Sequence, residues 1–455
     1  MEIGSVKRTY NLFATCLFFK NMKDKIAIFW FRRDLRLEDN AGLHQALQSG
    51  LPVLPIFIFD TDILDDLENK CDKRVDLIHQ MLQDMQQQLE KWGSGLKVLH
   101  GKPLDCFIKI ISQYDIQAVY TNSDYEPYAK KRDSEIALML SEASVPFYAY
   151  KDQVIFEQNE IVKKDGTPYL VYTPYSKQWK AALTDEHLNT KDTEKYKQAF
   201  LQYTPASIPS LKTLGFERTG IAYEPPTLDT KVAKAYQRTR DVPSLPTTRL
   251  SLHLRFGTIS VRRLVKEVME LNETLLNELI WREFFQTILW HMPHTVTESC
   301  KKEYDRIRWR NNEKEFEKWC NGTTGYPIVD AGMRELNETG FMHNRVRMIT
   351  ASFLVKHLLI DWRWGEAYFA EKLLDYDMAS NVGNWQWAAG SGCDAAPYFR
   401  IFNPYTQAAK FDPQNVYISN WVPEAGTKGY PEPIVDHQHA RERCLDTFKK
   451  ALQKG

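Results

Sequence analysis

Apolar and polar positions in the first third of the chain follow the pattern of a parallel sheet covered by helices. The apolar runs of strand length lie at residues 26–31, 53–59, 96–99 and 118–121, and the stretches of helical periodicity lie at residues 74–92 and 130–140. Strands that are apolar at nearly every position are buried on both faces, which is typical of parallel sheets between two layers of helices. We therefore predict a doubly wound, Rossmann-like α/β domain over residues 25–150.

The pattern changes twice beyond this domain. Residues 151–229 contain clusters of Pro and polar residues with little periodicity, which predicts a long interdomain connector with a few short helices. From residue 230 onward the periodicity is helical almost throughout, and nine of the twelve Trp residues lie at or after Trp281. We predict an all-helical domain over residues 230–455. Residues 1–24 are expected to be a disordered N-terminal extension.

Charge and cysteine content narrow the class of protein. The 59 basic and 59 acidic residues cancel, so binding to nucleic acid requires a local basic patch. The seven cysteines include no C-x-x-C pair, which predicts reduced thiols in a cytoplasmic protein and argues against a zinc site or a disulfide framework. No apolar run in the sequence reaches the roughly 18 residues that a membrane span needs.

One helical segment, at residues 277–285, carries candidate chemistry. It places an acid, a base and two aromatic rings on one helical face by the i, i+3, i+4, i+7 spacing. These residues are Glu278, Trp281, Arg282 and Phe285. Because a buried charge is costly unless it is paired, such a stripe favours a polar cavity. A surface ion pair beside two half-buried rings explains the same stripe without any function.

Two later segments have similar features. Asn344, Arg347 and Met348 share one face of a predicted helix. Successive helical residues differ by about 100°, so Trp385 and Trp387 point to nearly opposite sides. This arrangement would allow one indole to face a cofactor while the other faces a substrate. In isolation these segments are weak signals, since a Trp in a helical domain usually belongs to the core.

Six motifs, taken in chain order, resemble those of the class I photolyases of the photolyase/cryptochrome superfamily. They are Trp-Phe-Arg-Arg-Asp-Leu-Arg-Leu-Glu-Asp-Asn at residues 30–40, Trp-Arg-Glu-Phe at 281–284, Thr-Gly-Tyr-Pro-Ile-Val-Asp-Ala at 324–331, Met-His-Asn-Arg-Val-Arg-Met at 342–348, Asn-Trp-Gln-Trp at 384–387 and Asp-Ala-Ala-Pro-Tyr-Phe-Arg-Ile-Phe-Asn-Pro at 394–404. Their shared order over nearly the whole chain identifies it as a member of this family.

The resemblance implies an enzyme, a deoxyribodipyrimidine photo-lyase that splits cyclobutane pyrimidine dimers in DNA with light. In this family, excited reduced FAD passes an electron to a flipped-out dimer, the ring opens and the electron returns. Such an enzyme needs no metal, and we expect a monomer in the bacterial cytosol that associates with the nucleoid during repair. Its partner is damaged DNA.

The resemblance also assigns residues to FAD. It implies Tyr236, Thr247, Thr248, Arg249, Leu250 and Ser251 for the phosphates, and Glu278, Arg282, Asn344, Arg347, Asp375, Asp377 and Asn381 for the rest of the pocket. Asp375 and Arg347 are expected to form a buried ion pair beside the isoalloxazine, with Asn381 near flavin N5. Hydroxyls and backbone N–H groups at a helix start suit a pyrophosphate, although an ordinary N-cap uses the same residues.

Further roles follow from the same motifs. Catalysis is assigned to Glu278, Asn381, Trp281, Trp387 and Met348, electron transfer to the surface to Trp385, Trp362 and Trp309, and DNA binding to Trp281, Arg345, Trp387, Arg400 and Lys410. Glu278 is expected to hydrogen-bond the dimer and to stabilise the negative charge that develops on it. Without the resemblance, the three electron-transfer indoles would be interpreted as core residues.

Alternatives remain at this stage. A cryptochrome-type blue-light photoreceptor shares the fold and the flavin, and a flavin electron-transfer protein without DNA is a third possibility. Asn344 and Met348 stand where the six-four photolyases carry histidines, which argues against that activity. A second, antenna chromophore is possible but its identity is open, because Pro127 and Tyr128 replace the Asn-Glu pair of the folate-binding members.

Overall fold

The computed structural model describes residues 24–453, which form two compact units. The first unit contains residues 24–153, 190–225 and 256–260, and the second contains residues 154–189, 226–255 and 261–453. The extension expected over residues 1–24 lies outside the described residues except for Asp24.

The first unit is the predicted α/β domain. Its elements are β1 (Lys25–Phe31), α1 (Ala41–Leu47), β2 (Val53–Asp60), α2 (Thr61–Leu64), α3 (Lys73–Glu90), β3 (Lys97–Gly101), α4 (Pro103–Gln113), β4 (Asp115–Asn122), α5 (Pro127–Glu142) and β5 (Phe147–Tyr150). The strands form one parallel sheet in the order β3-β2-β1-β4-β5. Every residue of β2 is buried, and so are all residues of β1 after Lys25, which confirms the double-sided burial expected from the apolar runs.

The motif at residues 30–40 stabilises the fold of this unit. The amide of Asn122 donates to Asp34 Oδ2 (2.6 Å) and to Asn40 Oδ1 (2.8 Å), and Asn40 caps α1 by accepting from the Leu43 N–H. Burial raises the pKa of Asp34, and hydrogen bonds from the Arg32 N–H and the Asn40 amide partly offset that shift. The polar residues after β1 therefore connect the ends of β1 and β4.

The second unit is helical, as predicted. Its helices are α6 (Tyr172–Ala182), α7 (Thr230–Thr239), α8 (Ser251–Phe256), α9 (Val261–Leu271), α10 (Glu273–His291), α11 (Glu313–Cys320), α12 (Pro327–Thr339), α13 (Asn344–Ser352), α14 (Trp362–Lys372), α15 (Met378–Ala389), α16 (Pro404–Phe411), α17 (Val416–Trp421) and α18 (His437–Leu452), with a π-helical turn at Phe353–His357. Its largest core packs α12, α13, α14 and α15 around Trp319, Trp362 and Trp385. Helix α10 packs against α15.

The segment expected to be a connector is divided between the two units. Its first part, residues 154–189, packs with the helical unit around the buried carboxylate of Glu283. The indole N–H of Trp179 donates to Glu283 Oε2 (2.7 Å) and the Ile155 N–H donates to Oε1 (2.5 Å). Residues 190–225 belong to the α/β unit. A few buried anchors such as Trp179 therefore order a segment that lacks periodicity.

The expectation of reduced thiols is wrong for one pair of cysteines. Cys300 and Cys393 form a disulfide with a Cα–Cα distance of 6.0 Å, although 93 residues separate them in the chain. Scattered cysteines reveal no pairing in sequence, because the partners meet only after α15 packs against α10. The bond joins the segment after α10 to the segment after α15.

We predict that replacing both residues by Ala (C300A/C393A) lowers the free energy of unfolding by about 3–5 kcal/mol, because the bond closes a long loop. Urea unfolding measures the change. Cys71 is exposed and free, so Cys71→Ala serves as the control and should unfold like the unmodified protein. C300A/C393A should unfold identically with and without reductant, because it has no such bond left to reduce. If reductant leaves the unfolding of the unmodified protein unchanged as well, the disulfide is refuted.

Candidate functional site

A cavity of about 470 Å³ opens in the helical unit, in the size range of sites for organic ligands. A smaller cavity of about 90 Å³ adjoins it and shares part of its wall with it. Helices α7, α8, α10, α13 and α15 all contribute to the walls.

Most of the residues singled out from the sequence meet in these two cavities. The larger one is lined by Tyr236, Thr248, Leu250, Ser251, Glu278, Trp281, Arg282, Asn344, Arg345, Arg347, Met348, Asp375, Asp377 and Trp387. Asn381 and Trp385 line the smaller one. The helical spacing explains the grouping, since Glu278, Trp281 and Arg282 leave α10 on one side. Asp377 has a second role, because its side chain caps α15 through the Ser380 N–H (3.0 Å).

Other predicted residues lie elsewhere. Thr247, Arg249, Trp362, Trp309, Arg400 and Lys410 line neither cavity. The guanidinium of Arg249 instead lies 3.6 Å from the centre of the Phe341 ring, and burial lowers its pKa. Arg249 also has a left-handed backbone with φ of 51°, which turns its side chain away from the sequence neighbours that line the cavity.

Glu278 forms an ion pair at the cavity wall. Arg240 Nη1 donates to Glu278 Oε1 at 2.6 Å, and both side chains are about one-third exposed. Burial raises the pKa of Glu278, and the positive charge of Arg240 opposes that shift. Burial and the charge of Arg240 therefore act on the pKa of Glu278 in opposite directions, and the effect of burial is the larger.

The expected ion pair between Arg347 and Asp375 is present. Arg347 Nη2 donates to the two carboxylate oxygens of Asp375 at 2.9 and 3.1 Å, and Arg347 Nε donates to the Met342 carbonyl at 2.7 Å. The Asp375 side chain is 4% exposed, so the pair is largely removed from water. This arrangement fixes a cation and an anion side by side at the junction of the two cavities.

Asn381 is oriented by Glu366, a residue that the sequence reasoning missed. Both hydrogen bonds of the Asn381 amide nitrogen go to Glu366, to Oε1 at 2.9 Å and to the carbonyl at 3.1 Å. The amide oxygen of Asn381 is therefore the atom that can accept a hydrogen bond from a ligand. Burial raises the pKa of Glu366. Glu366 lies in α14 and Asn381 lies in α15, so no spacing along a single helix links the two.

Trp281 is supported by Tyr172, which the sequence reasoning also missed. The two rings stack with centroids 3.7 Å apart and planes 4° from parallel, and the Tyr172 hydroxyl donates to the Asn277 carbonyl at 2.9 Å. One face of the indole is thus covered and its plane is fixed, while Trp281 still lines the larger cavity. The only signal was the aromatic content of residues 169–179, in a segment expected to be a connector.

The three indoles assigned to electron transfer belong to one packed region. Trp385 and Trp362 are buried in the largest core of the unit, and Trp309 packs against that core from its partly exposed edge. Trp385 also contacts Trp319, with ring centroids 6.1 Å apart. The guanidinium of Arg363 lies 4.8 Å over the Trp362 ring. These indoles therefore serve as core residues whatever else they do.

Two of the cations assigned to DNA, Arg345 and Lys410, lie at the same aromatic ring, and the third, Arg400, follows an exposed aromatic residue in the chain. The Arg345 guanidinium and the Lys410 ammonium lie 4.3 and 5.0 Å from the centre of the Phe411 ring. Arg345 also pairs with Asp241, at 2.7 Å between Nη2 and Oδ1. Arg400 is exposed and follows Phe399, whose side chain is 63% exposed. An aromatic ring so open to water beside a cation is a feature that the sequence reasoning overlooked.

His343, the histidine adjacent to the positions that decide six-four activity, has a structural role. It caps α13, with Nδ1 accepting from the Arg345 N–H at 3.1 Å. Burial lowers the pKa of His343 to about 4, so the ring stays neutral at physiological pH. His343 lines neither cavity.

Comparison with known proteins decides the family. The family model described as "DNA photolyase" matches residues 27–195, and the one described as "FAD binding domain of DNA photolyase" matches residues 275–428. A deoxyribodipyrimidine photo-lyase from Alkalihalophilus pseudofirmus is 34% identical over 94% of this chain and 98% of the relative. The chain belongs to the photolyase/cryptochrome superfamily.

Solved structures of superfamily members agree with this fold. A bacterial class III photolyase from Agrobacterium tumefaciens has a TM-score of 0.83 at 33% identity, and the match covers 96% of this chain and 99% of that one. An archaeal photolyase from Sulfolobus tokodaii, solved with two FAD molecules, has a TM-score of 0.77 at 34% identity, covering 93% of this chain and 99% of that one.

The cavities fit FAD by the chemistry of their walls. The hydroxyls of Thr248 and Ser251 and the cation of Arg282 suit phosphates. The Arg347–Asp375 pair and the Asn381 amide suit a flat ring with hydrogen-bonding edges. Within residues 24–453, no three His, Cys, Asp or Glu side chains group as a metal site. Over the same range, no helix has both the length and the apolar character for crossing a bilayer.

The close approach of α10 and α15 holds this site together. A Cβ atom on Gly383 of α15 would lie 2.2 Å from the Phe285 ring of α10. We predict that Gly383→Ala lowers the free energy of unfolding by about 1–3 kcal/mol and weakens FAD binding, because the helices must separate. Urea unfolding and flavin titration measure both effects.

Gly429→Ala is the matched control, since its Cβ would meet nothing closer than 3.7 Å. Equal behaviour of the two variants would show that the contact between Gly383 and Phe285 does not set the distance between the helices.

Proposed function

We propose that this protein is a class I deoxyribodipyrimidine photo-lyase, which repairs cyclobutane pyrimidine dimers in DNA with light. The observation that carries the proposal is that Trp281, Trp387 and Glu278 line the same cavity as the Arg347–Asp375 pair. A binding site for a flat cofactor and two aromatic surfaces for bases are thereby placed together. The similarity to enzymes named deoxyribodipyrimidine photo-lyase over nearly the whole chain supports the assignment.

The two indoles receive the lesion. A dimer must leave the duplex to enter a cavity, and the cost of unstacking is lowest for damaged bases. Trp281 offers one face to it, because stacking on Tyr172 covers the other, and Trp387 provides a second apolar surface. Aromatic stacking of this kind contributes roughly 1–3 kcal/mol per base. Met348, which lines both cavities, completes the apolar contact.

Glu278 acts on the charge of the lesion. Burial already raises its pKa, and a dimer that fills the cavity removes further water and raises it again. In its protonated form the carboxyl group donates a hydrogen bond to a pyrimidine carbonyl as negative charge develops there. Arg240, at 2.6 Å, keeps the group positioned in either protonation state.

FAD, when bound in its reduced form, supplies the light-excited electron that opens the dimer and takes it back. The chain's own residues set the conditions for this. Asn381 presents its amide oxygen as a hydrogen-bond acceptor without the charge that an aspartate would bring, because Glu366 binds both of its N–H groups. Trp385, Trp362 and Trp309 lie in one packed region that can return electrons from the surface.

The alternative, a cryptochrome-type photoreceptor, shares this fold. Glu278, Trp281 and Trp387 at one cavity favour repair, since a light sensor requires no site for bases. We further propose that the protein acts as a monomer, because a single chain supplies all of these groups. We place it in the cytoplasm because the relatives that it resembles are DNA-repair enzymes. The absorption spectrum of the purified protein will show whether it binds a second chromophore in addition to FAD. The archaeal structure with two FAD molecules indicates another flavin as one candidate.

We predict that purified protein with reduced FAD removes cyclobutane dimers from an oligonucleotide under blue light and not in darkness. The return of the ultraviolet absorbance of the pyrimidine double bonds, or chromatographic separation of dimer from repaired product after nuclease digestion, measures the loss of dimers. Dimer loss at the same rate in darkness, or none under illumination of the reduced protein, would contradict the proposal. Light-dependent changes in the flavin without dimer loss would favour the photoreceptor.

A second prediction concerns Glu278→Ala, which should lower the repair yield by about tenfold while FAD stays bound, because one donor to the charged lesion is lost. The yield per absorbed photon and the flavin spectrum measure the two effects. Glu267→Ala breaks a comparable Arg–Glu pair outside the cavity, at 2.9 Å from Arg263, and should repair normally. An undiminished yield in Glu278→Ala would remove this residue from the mechanism.

A further inference from the structure

The two residues that follow α7, Arg240 and Asp241, each form an ion pair with a side chain that we assign to the lesion or to DNA. Arg240 pairs with Glu278 at 2.6 Å, and Asp241 pairs with Arg345. In the second pair, Arg345 donates to Asp241 Oδ1 from both Nη2 (2.7 Å) and Nε (3.2 Å). All four residues line the larger cavity, so the pairs stand where substrate must pass.

The Arg345 guanidinium is covered on one side and engaged on its edge. Its carbon atom lies 4.3 Å from the centre of the Phe411 ring, and its side chain is 15% exposed. The Asp241 side chain is 40% exposed. An ion pair with one partner so open to water contributes little net stability, so its acid can be exchanged for another anion at small cost.

The anion that fits in place of the Asp241 carboxylate is a phosphodiester of the DNA backbone. The donors of a guanidinium match carboxylate and phosphate oxygens with the same geometry, so the Arg345 edge cannot bind both at once. Backbone phosphates flank any pair of bases that enters the cavity. A dimer that reaches Trp281 therefore brings phosphate to the mouth where Asp241 and Arg345 lie.

We propose that Asp241 competes with the DNA backbone for Arg345 and thereby sets how readily repaired DNA leaves. When DNA binds, a phosphate displaces the Asp241 carboxylate from Arg345. When the dimer has been split, the carboxylate takes Arg345 back and weakens the hold on the product. This inference rests on the proposed function, and it makes Asp241 a positioning residue that acts through Arg345.

The test is Asp241→Asn in the FAD-bound protein, with dimer-containing and undamaged duplexes as ligands. The dissociation constant of both should fall about fivefold, the dissociation rate should fall in proportion, and steady-state repair under saturating light should slow. The slope of log affinity against log salt should steepen by up to about 0.9, because the phosphate that binds Arg345 releases its counterion and no Asp241 carboxylate is uncovered to take up a cation in return. Asp241→Glu, which keeps the carboxylate, should stay close to the unmodified protein.

Glu424→Gln is the matched control. It removes the same charge from a pair of the same length, at 2.7 Å to Arg334, outside both cavities, and should leave DNA affinity unchanged. In an Arg345→Ala background the effect of Asp241→Asn on DNA affinity should vanish, because there is then no guanidinium for which the Asp241 carboxylate and a phosphate can compete. Flavin absorbance and thermal unfolding show that each variant is folded.

Two results would overturn the inference while leaving the proposed function intact. Asp241→Asn could bind DNA with the same affinity and salt slope as Glu424→Gln, in which case no competition exists. Its gain could also persist without Arg345, in which case Asp241 only repels phosphate. Failure of the unmodified protein to bind or repair dimer-containing DNA would instead refute the proposed function.

Discussion

The packing of α10 against α15 is the constraint on which the site depends. Gly383 lets the Phe285 ring of α10 come so close that no Cβ would fit between them. This contact places Glu278 and Trp281 of one helix opposite Trp387 of the other, with the cavity between them. Tyr172 and the disulfide between Cys300 and Cys393 stabilise the same arrangement from the outside, the first by stacking on Trp281 and the second by joining the segments that follow the two helices.

Paired charges explain how a protein with no net charge can present a polar cavity for a charged cofactor and a charged polymer. Three cations at the wall have an acid beside them, in the pairs Arg347–Asp375, Arg240–Glu278 and Arg345–Asp241. The acid of the first pair, Asp375, is 4% exposed, whereas the acid of the third pair, Asp241, is 40% exposed and exchanges its partner at lower cost. In the account proposed above, the same pairing chemistry fixes the cofactor in one place and releases DNA in another.

Local periodicity was enough to predict the parallel sheet, the helical unit and the grouping of Glu278, Trp281 and Arg282, because all three follow from spacing along one element. It was not enough for Tyr172 or Glu366, since each acts on a partner in a different helix. The pairing of Cys300 with Cys393 was missed for the same reason. Thr247 and Arg249 were grouped with the cavity residues by a motif, but only their neighbours Thr248, Leu250 and Ser251 line the cavity.

The most direct test of the account is a crystal structure of the FAD-bound protein with a duplex that contains one cyclobutane dimer. The account predicts that both damaged bases lie outside the helix, between the indoles of Trp281 and Trp387, with the isoalloxazine next to Arg347 and Asp375 in the same cavity. A dimer that stays stacked in the duplex, or a flavin bound away from these residues, would contradict it.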